Sequence, residues 1–278
     1  MIRYGFVVEM RSVITKEDVQ SRSSEFLRER LVISDLFKVN EFCWVQSHHD
    51  RILLGGVALK NGKLEISAPE DFGVEYFLQR RELGLACLSG RIEISVDGKV
   101  FSLEAEDILY VGRGSKVIEI EGNGNLYGSS SMSHSTMPTS LIKKSEAETL
   151  VIGDQKFASE RTLRKYIHEQ GASSSSMAMG ITTLHEGNVW NTMPCHVHER
   201  RTEAYLYFDI PENNKVVHLY GEQTNTRNFL LENLEVVISP AWSIHTGAGT
   251  SNYKFVWSTA GENITYTDFI PVPTSTLK

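Results

Sequence analysis

His196 and His198 stand two residues apart, Glu203 follows shortly after them, and His245 comes further along behind Pro240. On a strand, residues i and i+2 face the same way, so the two histidines project to one side. Glu203 keeps neither helical nor simple strand register with them and must arrive from a following strand after a turn. His245 is expected on an adjacent antiparallel strand. Imidazoles and a carboxylate suit a divalent transition ion such as zinc, iron, manganese, nickel or cobalt, and such a set can leave positions open for water or substrate. The four residues therefore predict one divalent metal per chain. His48-His49 is read as structural or surface, because adjacent strand residues face opposite ways. Cys195, beside a candidate ligand, reads as a small buried hydrophobe.

The elements that must carry these ligands are mostly strands. A helix is expected near the start, capped by Thr15 with Asp18 three residues on and continuing through Arg30. After about residue 35 short alternating runs take over, such as Arg91 to Val96, followed by Asp97-Gly98 as a hairpin turn. Ala204 to Phe208, Pro211 to Asn214 and Lys215 to Leu219 repeat the strand–turn–strand habit. A weak internal repeat matches Glu104 to Ser115 with Glu232 to Ser243, and Arg80-Arg81-Glu82 with Arg200-Arg201-Thr202-Glu203. This predicts a mainly β chain of two tandem β-sandwich or barrel units with a few short helices. The first unit spans 1–138, a polar connection 139–180, and the second unit 181–278. The connection's serine run, Ser173 to Ser176, is expected to be a mobile loop. Counting from Glu82, the positions matching His196, His198 and His245 are Glu75, Phe77 and Val117, so only the second unit carries the ligands.

Composition narrows the function classes. Twenty-eight basic against thirty-five acidic residues give a formal charge of −7, which argues against a nucleic-acid binder needing a basic face. No run reaches the roughly 18 apolar residues of a membrane helix, and the N-terminal stretch is interrupted by Glu9, Arg11 and Lys16, unlike a signal peptide. Three widely spaced cysteines form no CxxC and suggest a reducing cytoplasm.

The HxHx4E run with a later P-x4-H resembles the cupin pattern. Gly187 lies further from His196 than in most cupins, and Trp242 stands where a glycine is common. These departures fit a narrower family. GNVWNTMPCHVHERR (187–201), VISPAWSIH (237–245), YFLQRRELG (76–84) and LYVGRG (109–114) resemble the signature of bacterial 5-keto-4-deoxyuronate isomerases, over roughly residues 20 to 265. The resemblance implies a two-cupin fold and a zinc-type ion on His196, His198, Glu203 and His245. It also implies a hexamer, and conversion of 5-dehydro-4-deoxy-D-glucuronate to 3-deoxy-D-glycero-2,5-hexodiulosonate late in pectin or uronate-polymer breakdown. Such a reaction needs a polarised carbonyl, a base for the neighbouring carbon and a cationic partner for the carboxylate. Arg200 or Arg201, facing opposite ways, offers one such partner; Arg200 is taken here, with Arg161 and Lys165 from the connection closing over the mouth. Thr182 and Asn191 are candidates for sugar hydroxyls and Trp242 for a pocket wall. The base is left unassigned among residues such as Tyr207, His134 and His218. Two alternatives stay open: an isomerase of another sugar acid such as 5-deoxy-glucuronate, and a non-catalytic sugar-acid-binding cupin.

Overall fold

Asp97 and Gly98 both take positive φ, 49° and 85°, and close the strands Arg91–Val96 and Lys99–Glu104 into a hairpin. A two-residue turn of this kind matches the right-handed twist of the strands it joins. The hairpin belongs to a nine-stranded sheet that occupies most of the first half of the chain. The computed structural model describes residues 8–262, 265 and 267–278; the first part of the N-terminal apolar stretch lies outside these. The second half, with Val32–Ile33 from the N-terminal part added at one edge, forms a seven-stranded sheet; it also forms a four-stranded sheet facing that one and a two-stranded piece, His196–Val197 with Ile270–Pro271. The chain is mainly β with short helices, as its strand-and-turn patterning predicts.

The repeat is visible in the sheet order. Strand Arg81–Cys87 lies between Ile118–Met132 and Ile108–Val111, and strand Arg201–Phe208 lies between Lys254–Gly261 and Val236–Ser239. In the first sheet Leu83 faces Val111; in the second, Glu203 faces Ser239. The structural counterpart of Glu203 is therefore Leu83, one residue beyond the match made from sequence. In a strand that single step reverses the side chain. Leu83, Leu85 and Cys87 fill the first unit's core, whereas Glu82 and Gly84 face the other way, towards the second sheet. A Cβ added at Gly84 would meet Met179 Sδ at 2.5 Å.

Three further expectations change. The N-terminal helix is two helices, Lys16–Ser21 and Ser24–Leu31. The Thr15–Asp18 capping box forms, but Ser23 caps a second start and its side chain accepts the Phe26 N–H. A serine that competes for backbone donors favours a cap over a helix interior. The connection at 139–180 contributes strands to both sheets: Ser140–Ile142 joins the first sheet, and Glu148–Ile152, Arg161–Ile167 and Ala178–Leu184 join the second. The serine run is not a solvated loop either. Ser174 and Ser176 are buried, and the Ser175 and Ser176 N–H groups donate to the Glu82 carboxylate at 2.7 and 2.8 Å.

Candidate metal centre

Three separate pieces of sheet bring the four ligands together. His196 opens the two-stranded piece, with His198 just beyond it. Glu203 lies on the seven-stranded sheet in strand Arg201–Phe208. His245 lies in Ile244–Gly249 of the four-stranded sheet, hydrogen-bonded to Val216–Glu222 and Trp190–Asn191. His245 is thus on a strand that packs beside His196–Val197 but is not hydrogen-bonded to it or to the strand of Glu203. The His198 N–H donates to the Ala241 carbonyl at 3.1 Å, tying the HxH segment to the loop before His245.

The ligand atoms of His196, His198, Glu203 and His245 all lie within 4.8 Å of one another. His198 Nε2 is 2.8 Å from Glu203 Oε2, His245 Nε2 is 3.2 Å from the same oxygen, and the Nε2 atoms of His196 and His245 are 3.0 Å apart. His198 Nδ1 lies 2.7 Å from the Asp268 carbonyl. A carbonyl only accepts, so this contact puts the ring proton on Nδ1 and leaves the Nε2 lone pair turned to the cluster. Burial, and then the neighbouring His245, pushes His196 down to about 2. Burial acts to raise Glu203, but His245 and His198 outweigh it and hold the carboxyl well below its ordinary range. Lone pairs and a carboxylate converging at these separations, largely out of water, fit a divalent cation.

The cluster opens on a cavity of about 340 Å³, lined by His196, His198 and Glu203 together with Arg161, Thr182, Thr192, Arg201, Tyr205, Trp257, Thr259 and Phe269. A larger cleft of about 1160 Å³ beside helix Ser24–Leu31 carries none of the four ligands.

Of the residues singled out from sequence, Arg161 and Thr182 line the cavity, Arg161 also donating to the Ser159 carbonyl. The others do not. Lys165 is held by Glu148 at 2.6 Å. Arg200 points to solvent near Glu262, 3.8 Å away. Trp242 packs on the main core. Asn191 is fully buried behind the cavity, where its amide donates to Tyr253 at 2.7 Å and to Tyr207 at 3.3 Å. Tyr207 in turn meets His218 Nδ1 at 2.8 Å, and burial, with His245 nearby, lowers His218 to about 3. His134 is exposed.

Arg201 takes the place given to Arg200. It is 3% exposed and lines the cavity, and one of its N–H groups donates to the Thr265 carbonyl at 2.9 Å. The signal was available: Arg201 and Tyr205 stand two residues either side of Glu203 and share its face. Tyr205 and Glu203 sit opposite Trp257 and Thr259 on the next strand. The Tyr205 hydroxyl is 3.0 Å from Thr192 Oγ1, and Phe269 covers His196 at a ring distance of 4.9 Å. Cys195 is fully buried beside Ile244 and Val272.

Among the described residues no helix is long and apolar enough to cross a membrane. The chain is 42% identical over 266 residues to a 4-deoxy-L-threo-5-hexosulose-uronate ketol-isomerase of Lachnoclostridium phytofermentans, covering 94% of this chain and 96% of that protein. It is 41% identical over 277 residues to the protein of that name from Oceanobacillus iheyensis, covering 98% and 100%. Among solved structures it resembles an IolB-like protein from Salmonella typhimurium, with a TM-score of 0.72 at 13% identity, over 87% of this chain and 96% of that one. Lactobacillus farciminis oxalate decarboxylase is a more distant likeness in fold, at a TM-score of 0.56, 10% identity and coverage of 80% and 79%. The KduI/IolB family model matches residues 36–275, and the chain belongs to the KduI/IolB family.

Proposed function

We propose that this chain is a metal-dependent ketol-isomerase that interconverts 5-dehydro-4-deoxy-D-glucuronate and 3-deoxy-D-glycero-2,5-hexodiulosonate. The observation that carries the reading is a four-ligand cluster opening on a cavity that also holds two arginines, in a chain whose full-length relatives are named as uronate ketol-isomerases. His196, His198, Glu203 and His245 would hold one divalent ion, with zinc the preferred one. Once bound, such an ion supplies Lewis-acid polarisation of the carbonyl and charge for the developing oxyanion.

The chain's own residues do the rest. Arg201, partly desolvated in the cavity wall, is placed to take the substrate carboxylate in a charge-assisted pair, with Arg161 beside it. Thr182 and Thr259 offer hydroxyls to the sugar, and Thr192 orients the Tyr205 hydroxyl. Trp257, Phe255 and Phe269 narrow the cavity and exclude water. The resemblance extends the reading to a cytoplasmic homo-hexamer. The apolar, exposed edge strand Glu148–Ile152, with Val151 63% exposed, supports burial against another copy. Light scattering of the purified protein tests this.

The direct test incubates metal-loaded protein with the unsaturated-uronate breakdown product and follows the 2,5-diketo acid. Turnover is expected and should vanish on chelation and return with the ion. No turnover at full occupancy sinks the proposal. A panel including 5-deoxy-glucuronate should show its highest kcat/KM with the 4-deoxy substrate. Replacing Arg201 by Met should lower kcat/KM by about 10- to 100-fold, the worth of one charge-assisted contact. Arg200→Ala should leave kcat/KM within about twofold, since an exposed charge contributes little. Equal losses in the two variants would contradict the assignment of Arg201.

A further inference from the structure

Among the described residues the first unit holds no cluster of metal ligands, yet the position corresponding to Arg201 is again an arginine. Arg81 opens its strand two residues before Leu83, just as Arg201 opens its own two residues before Glu203. We propose that Arg81, with Arg51 and Arg80, forms an oxyanion site that binds a phosphate-class anion.

Arg81 is 3% exposed, and the partners of its guanidinium are all neutral. Both terminal nitrogens donate to the Arg51 carbonyl, one of them at 3.1 Å; the latter also lies 3.4 Å from Met132 Sδ. The Phe72 ring lies 5.5 Å from the guanidinium carbon. The Nε atom is buried with no hydrogen-bond partner among the described residues. Burial, and then the charge of Arg51, lowers Arg81 to about 10. A buried cation normally meets a carboxylate, because an unpaired charge out of water is costly.

Here it shares a cavity wall with two more arginines instead. Arg51, Arg80 and Arg81 line a cavity of about 170 Å³ that also includes the Gln46 amide and no acidic residue. Among the described residues, none of the three has a carboxylate within 4.0 Å. Arg51 is presented by the hairpin turn between Cys43–Ser47 and Leu53–Glu65, with φ of 47° at Asp50 and 52° at Arg51. It is pinned from both sides: Arg81 holds the Arg51 carbonyl, and Asp50 accepts the Thr202 N–H and O–H, both at 2.7 Å. Positive φ at both central residues is what a two-residue hairpin turn requires, and the Ile52 N–H donates to the His49 carbonyl to close it, so the place of Arg51 is fixed by the hairpin. A tetrahedral oxyanion supplies acceptors on several sides, which suits a cavity lined by three arginines. With Leu83 where the second unit has Glu203, the site has the chemistry for holding an anion and none for activating one.

The test is calorimetric titration of the full-length, metal-loaded protein at low ionic strength, with inorganic phosphate in one arm and a hexose phosphate in the other. One anion per chain is expected, with Tm rising by about 3–5 °C at roughly ten times Kd. The exposed pair Arg51→Ala/Arg80→Ala should weaken binding at least about tenfold and leave isomerase kcat/KM unchanged, whereas Arg201→Met should leave phosphate binding intact. Tighter binding of the hexose phosphate identifies a phosphorylated metabolite as the ligand; equal binding identifies the free ion. The inference is overturned if neither arm gives saturable heat, or if binding survives the double variant or is lost on Arg201→Met.

Discussion

His245→Ala is expected to lower kcat/KM by about a thousandfold or more and to leave the purified protein with well under one equivalent of metal. His245 is the single ligand contributed by the four-stranded sheet, and it is 1% exposed. Its removal opens the cluster on the side where Glu203 and His196 both lie within 3.2 Å of its Nε2. Loss of the Lewis acid removes several kcal/mol of transition-state stabilisation, and about 4 kcal/mol corresponds to a thousandfold in rate. Metal analysis and steady-state kinetics on the same preparation separate the readings. If the chain were only a sugar-acid binder, the variant would keep its affinity for the sugar acid and the wild type would show no turnover. His48→Ala is the matched control, since that histidine lies outside the cluster, and it should hold metal and activity at wild-type levels.

How far the site is legible in the sequence depends on which step of geometry is asked for. Residue chemistry and the i, i+2 rule suffice to group His196 with His198 and to bring in Glu203 by a turn. They do not say which sheet holds His245, because a long-range partner leaves no local trace. A strand continued from His198 would put Arg200, and not Arg201, on the ligand face. That strand stops at Val197 and a new one begins at Arg201, so parity has to be counted from Glu203. The mainly β patterning is legible, but the charges and serines of residues 139–180 mask the strands they contribute to both sheets. What holds the serine run leaves no trace in its composition: the backbone N–H groups of Ser175 and Ser176 meet a buried carboxylate from the neighbouring sheet, and only the Ser176 hydroxyl lies near it, at 3.4 Å.

That carboxylate carries the second large effect. Glu82 is fully buried, and its oxygens accept from Tyr110 Oη at 2.7 Å, Ser131 Oγ at 3.1 Å, and the Ser175 and Ser176 backbone N–H groups. It joins the first sheet, through Tyr110 and Ser131, to the segment leading into strand Ala178–Leu184 of the second. Glu82→Ala would strand these donors away from water, at about 1–3 kcal/mol for each unsatisfied group, partly offset by no longer burying a carboxylate. The expected net loss is about 3–5 kcal/mol, a fall in Tm of about 10 °C, measured by calorimetry at fixed metal loading. Glu82→Gln keeps the shape and one good acceptor, so it should lose less than half as much. The sequence match that aligned Glu82 with Glu203 would instead make it a remnant ligand, dispensable for stability. A Glu82→Ala protein melting within about 2 °C of wild type would favour that reading and would show that the serine segment is held by packing alone.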